Sequence, residues 1–155
     1  MKRTVTALVF MLIAVFAFNG CGNEPTKPLS DVFADIKSQV NINDMNEFTA
    51  ASSLDRYYGI AEADVSEFAG GINNSGVDQE EIVLIKASDK DAADRIKTAL
   101  DNRYNAKLNE NVNYNQEQAE MIKKCSVESN GLYVSMIVSE NAEKITEIYK
   151  SDLGI

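Results

Sequence analysis

Carboxylates are the chain's main means of acid–base or metal chemistry, and they gather in two places. Asp78, Glu80 and Glu81 precede an apolar run, and Asp89, Asp91 and Asp94 open a long helical pattern. Close carboxylates can work as a general acid and base, or give hard oxygen ligands to Ca²⁺ when a loop folds them inward. The plainer reading makes the first group a solvated turn and the second a complement to the positive end of a helix. Asp44 and Asn46 have the spacing that opens a calcium loop, but Thr49 stands where that loop needs glycine, so the match fails. The chain has no histidine, which excludes Ser-His-Asp and Cys-His catalysis and histidine zinc sites. Its cysteines, Cys21 and Cys125, are too few for a thiolate metal cluster, and there is neither a GxGxxG nor a Walker loop. No cofactor and no metal is therefore expected.

Tyrosines are the second kind of candidate. Tyr57, Tyr58, Tyr114 and Tyr133 could form a binding face for a peptide or glycan if the surface carrying Tyr133 and Ile137 is left uncovered. The competing reading is packing between elements, with the hydroxyls at the surface. Cys125 falls in a predicted strand and reads as a small buried hydrophobe, the alternative being a reactive thiol.

The elements that must position these residues can be traced from periodicity. Leu29, Phe33, Ile36 and Val40 recur at helical spacing behind Ser30, a plausible N-cap, and predict a helix over 31–40. Residues 47–60 read as a strand followed by a helical turn closed by Gly59. A loose hairpin follows, with strands over 65–72 and 81–87 around a turn containing Gly76. Ile82-Val83-Leu84-Ile85 is apolar on both faces and predicts a central strand. Gly70-Gly71 reads as a strand end or bulge. Ser88 and Asp91 open a long helix whose stripe is Ile96, Leu100, Tyr104 and Leu108. Asn130-Gly131 predicts the type I′ turn of a second hairpin, pairing Val127 with Val134 and Cys125 with Met136. A last helix begins near Ser139 and turns Ala142, Ile145, Ile148 and Tyr149 inward. The expected fold is α+β: an antiparallel sheet of about four strands in two hairpins, with three helices packed on it.

The N-terminal segment reads as a leader. Lys2 and Arg3 form a positive start, and the unbroken apolar run over residues 7–18 is shorter than the roughly 20 residues of a spanning helix but suits a signal peptide. Phe18-Asn19-Gly20-Cys21 then resembles the lipobox of bacterial lipoproteins, with Gly20 fitting the signal peptidase and Phe18 and Asn19 standing where Leu and Ala or Ser are commoner. The resemblance implies acylation of Cys21, which becomes the mature N-terminus bound to membrane lipid; the alternative is an uncleaved anchor helix with an incidental cysteine. The expected organisation is a signal peptide over 1–20, a tether over 21–28 and one domain over 29–155. Loss of Lys2 and Arg3 leaves 13 basic residues against 24 acidic ones, a net charge of −11. Such a surface repels nucleic acid and anionic headgroups and would favour a basic partner, the plainer reading being charge kept for solubility.

Tyr57-Tyr58-Gly59-Ile60 with Asp64-Val65, Glu81-Ile82 leading through Lys86 into the Asp-rich helix start, Tyr114-Asn115 and Gly131-Leu132-Tyr133-Val134 together resemble a lipoprotein domain of Gram-positive bacteria, domain of unknown function 4358. The similarity spans roughly 29–152. It implies a signal or lipid anchor and an extracytoplasmic domain, and carries over no activity, ligand or catalytic residue. The expected function is a non-enzymatic binding or envelope-accessory module, lipid-anchored on the outer face of the cell membrane, with an envelope protein or cell-wall ligand as partner. Alternatives are a carboxylate-dependent hydrolase of the envelope, with or without a metal, and a spacer.

Overall fold

The structure is a computed structural model that describes residues 27–42 and 44–155. The signal peptide, Cys21 and most of the tether lie outside the described residues. Among those described there are five strands and five α-helices. The helices are α1 (Leu29–Gln39), α2 (Ser52–Tyr58), α3 (Lys90–Tyr114), α4 (Gln116–Ile122) and α5 (Ala142–Leu153). The strands β1 (Met45–Glu47), β2 (Val65–Asn73), β3 (Glu81–Ala87), β4 (Ser126–Asn130) and β5 (Tyr133–Val138) form one antiparallel sheet in the order β1-β2-β3-β5-β4. The class is the expected one, with β3 in the centre. The fifth strand is β1, which pairs with the far end of β2 and ends at Glu47, the residue where the sequence pattern places the start of a strand. The additional helices are short: α2 ends at Gly59 in the left-handed region, and α4 starts where the Asn115 side chain accepts from the Gln118 N–H at 3.3 Å.

Alternation along β3 divides the core into two layers. Val83, Ile85, Val134 and Met136 point to one side and pack under Leu54 of α2, Ile96 and Leu100 of α3 and Ile122 of α4. Ile82, Leu84, Tyr133 and Ile137 point to the other and pack under Val32, Phe33 and Ile36 of α1 and Ile145, Ile148 and Tyr149 of α5. The sheet is thus covered by helices on both faces. No helix among the described residues is long and apolar enough to cross a membrane.

Two details of the sheet differ from expectation. In the second hairpin Asn130 pairs with Tyr133 and Val127 with Met136, so the turn is Gly131-Leu132 and not Asn130-Gly131. Gly131 alone of that pair has positive φ, at 59°, the pattern of a type II′ turn. The slip moves each β4 residue two places along β5, which preserves which face it points to, so the hydrophobic pattern fits both registers. Gly70 lies in mid-strand, with φ at 128°, where a Cβ would come within 1.9 Å of the Ile82 carbonyl oxygen; the register shift of β2 falls earlier, between Val65 and Glu67. The absence of a side chain lets β2 and β3 approach.

The start of α1 is tied to the end of α5. Lys27 Nζ donates to Asp35 and, at 2.9 Å, to Asp152. The Leu29 N–H donates to a Glu67 carboxylate oxygen at 3.2 Å.

Candidate functional site

Glu81, read as part of a solvated turn, is completely buried. It stands on β3 with the parity of Val83 and Ile85 and so faces α3. Arg103 reaches both carboxylate oxygens, at 3.1 and 2.9 Å, Lys107 Nζ lies 2.9 Å from one of them, and the Tyr58 hydroxyl donates to the other at 2.8 Å. Lys107, also buried, donates to the backbone and side-chain oxygens of Gln79, each at 3.1 Å. Burial would raise the pKa of Glu81, but the Arg103 hydrogen bonds with the Lys107 and Arg103 charges hold it below the ordinary value. Burial, then the Glu81 charge, pushes Tyr58 far above the usual phenol range. With both oxygens occupied by three donors, this carboxylate is a structural node joining β3, α2 and α3.

Glu80 turns the other way. Its carboxylate accepts from the Ser139 hydroxyl and shares the wall of a cavity of about 240 Å³ with Asp78, Glu140, Asn41 and Asn141. Burial, and less strongly the charges of Asp78 and Glu140, raises its pKa. The helix-start group behaves as a capping set: Asp89 accepts from the Ala92 N–H at 2.7 Å and Asp94 lies 3.7 Å from Lys90. Among the described residues no three acidic or thiol groups are placed to hold a metal ion.

The four tyrosines do not share a surface. Tyr57 and Tyr58 meet Phe48, with ring centroids 6.0–6.3 Å apart, and the Arg56 guanidinium lies 4.6 Å from the Tyr57 ring centroid. Tyr58 is mostly buried by its bond to Glu81, leaving Tyr57 half-exposed. Tyr133 is buried beneath α1 and α5 on the opposite face of the sheet, with Lys86 Nζ 5.5 Å from its ring centroid. The condition for an open aromatic patch there is not met, because α5 packs where the patch would be. Tyr114 ends α3 and is 91% exposed, away from the others. Cys125 is buried, its thiol donating to the Met121 and Ser139 carbonyl oxygens at 3.3 and 3.5 Å, and burial raises its pKa. A thiol so placed is a poor nucleophile.

What sequence reasoning missed is a groove along α5. Two adjoining depressions of about 490 and 360 Å³ share Lys124, Ala142 and Glu143 and run between α4, β4 and α5. Met121, Cys125, Ile137 and Ala142 supply apolar floor. The walls carry Glu117, Glu120, Glu128, Glu140, Glu143 and Glu147 against Lys124 and Lys150, a net charge of −4. Glu128 pairs with Lys150 at 2.7 Å and Glu120 with Lys123 at 2.6 Å. Glu117, Glu140 and Glu143 make no ion pair among the described residues. The legible signal is the acidic start of α5, Glu140 and Glu143, whose charges also complement the positive end of that helix.

A sequence model described as Domain of unknown function (DUF4358) matches residues 38–139. The chain belongs to that family. The matched span runs from the end of α1 through the last residue before Glu140, so it contains the whole sheet, the Glu81 node and the α4–β4 wall of the groove, while α5 lies beyond it. No curated protein and no solved structure matched the chain.

Proposed function

We propose that this DUF4358 protein is a lipid-anchored extracytoplasmic module that holds an envelope partner in the acidic groove between α4, β4 and α5. The observation that carries the reading is the row of unpaired carboxylates, Glu117, Glu140 and Glu143, over an apolar floor. Carboxylates concentrated in a concave site attract a cationic partner and steer its approach. The anchor supports the location: Lys2 and Arg3, the apolar run over 7–18 and Gly20-Cys21 are the parts of a lipoprotein leader, and two acyl chains at about 0.8 kcal/mol per methylene hold a protein durably. Photo-crosslinkers placed at Glu143, and at Asp94 as a control on another helix, test the groove in living cells. A specific envelope protein recovered from the first position and not the second is expected; identical recovery from both would overturn the reading. Metabolic palmitate labelling that persists after Cys21→Ser would remove the anchor from it.

A second reading, a carboxylate-dependent hydrolase, is favoured by the cavity where Asp78, Glu80 and Glu140 converge and Glu80 has a raised pKa. It requires that Glu80→Gln abolish turnover of an envelope ester or amide. Unchanged turnover would end it.

A further inference from the structure

We infer that the occupant of the groove is an extended, lysine-rich segment of a protein, which pairs with the free edge of β4 as a sixth strand. This rests on the groove being the binding site, as proposed above, and names what fills it. β4 is the last strand of the sheet and pairs only with β5. In an antiparallel pair the hydrogen-bonded and non-bonded positions alternate, so every second residue of β4 turns its N–H and C=O outward. Folded proteins blunt such edges with proline, lysine or a bulge. Ser126–Asn130 contains neither residue and its register with β5 is unbroken. The opposite edge is β1, only three residues long.

The groove runs beside this edge, and its charge selects the occupant. A strand laid along β4 sends alternate side chains toward α5, where they meet the unpaired Glu143 between Glu128 and Glu147, which are bridged at the surface to Lys150 and Lys144. Past Lys124 the same chain enters the wider depression, with Glu117 and Glu140 on its walls. Cations at every second position of the segment match this arrangement, whereas a segment of acidic residues is repelled along its whole length. Main-chain bonds to β4 would supply affinity and the carboxylates selectivity, the usual division in strand addition.

The test titrates the full-length chain, in a neutral detergent, with a fluorescent peptide alternating lysine and valine, and with the same peptide N-methylated at alternate backbone nitrogens. The unmodified peptide is expected to bind, to shift the amide resonances of residues 126–130, and to bind at least about tenfold more tightly than the N-methylated one. Glu140→Lys with Glu143→Lys, both exposed positions, should weaken it by a further factor of about ten, and added salt should do the same. Equal binding of the two peptides would overturn strand addition while leaving an electrostatic groove. Absence of binding by either peptide, with crosslinks from Glu143 intact, would overturn the peptide assignment in favour of another cationic ligand and spare the proposed function. Absence of both would overturn the two together.

Discussion

Glu80 and Glu81 are consecutive, yet they point to opposite faces of the sheet and meet opposite surroundings. Glu81 is enclosed by Arg103, Lys107 and Tyr58 and is held ionised, its pKa lowered. Glu80 has a hydroxyl partner and two acidic neighbours, and its pKa is raised. The α3 side of the sheet therefore neutralises its buried charge, while on the α5 side Glu128, Glu147 and Asp152 are bridged by lysines and Glu80, Glu140 and Glu143 make no ion pair among the described residues. Surplus charge of one sign has been kept on the face that also carries the groove and the free strand edge, which is where an outside cation could balance it.

The contrast can be broken most directly at Glu81. Glu81→Ala leaves Lys107, 4% exposed, and Arg103 without their counter-charge, and should lower unfolding free energy by about 3–5 kcal/mol in urea titration. If Glu80→Ala costs as much, the two sides do not differ as described. Tyr58→Phe removes one hydrogen bond to a buried charge and should cost about 1.5–3 kcal/mol by the same measurement. The smallest effect is expected from Glu80→Gln, which keeps an acceptor for Ser139 and removes a disfavoured charge, raising stability at neutral pH by about 0.5 kcal/mol.

Acid titration separates the two residues by sign. Because the folded pKa of Glu81 lies below its ordinary value of 4.5, its contribution is present above pH 4.5 and is lost as pH falls through the lower folded value. Glu80 acts in the reverse sense: with its folded pKa above 4.5, the fold binds a proton that the unfolded chain does not, so stability falls as pH rises through that window. Thermal melts from pH 3 to 7 should show the downward slope above 4.5 vanish in Glu80→Gln and the acid-side loss diminish in Glu81→Gln.

Much of the architecture was legible in the sequence, because strand alternation and helical spacing report burial directly. The central position of β3, the first hairpin and the inward residues of α5 follow from apolar patterns. The hairpin register was not fixed in the same way, since a two-place slip leaves every residue on its face. The Glu81 node was hidden by residue type. A repeat of every fourth residue drifts by about 40° per step, so the inward arc of α3 beyond Leu100 is occupied less by Leu108 than by Arg103, Lys107 and Asn111, of which the last two are buried. Charged residues in that arc, opposite a glutamate of apolar parity, were the available sign of a buried ion cluster. The groove was invisible for another reason: it is made by α4, an element too short and polar to announce itself, closing against α5.

The tie of Lys27 to Asp35 and Asp152 fixes where the polypeptide leaves the domain. At 1.5 Å per residue, Glu143 lies about 14 Å along α5 from Asp152, at the other end of the helix from that exit. Under the anchor proposed on Cys21, the attachment would enter the domain at the α5 C-terminal pole, and the acidic mouth lies at the other end of that helix.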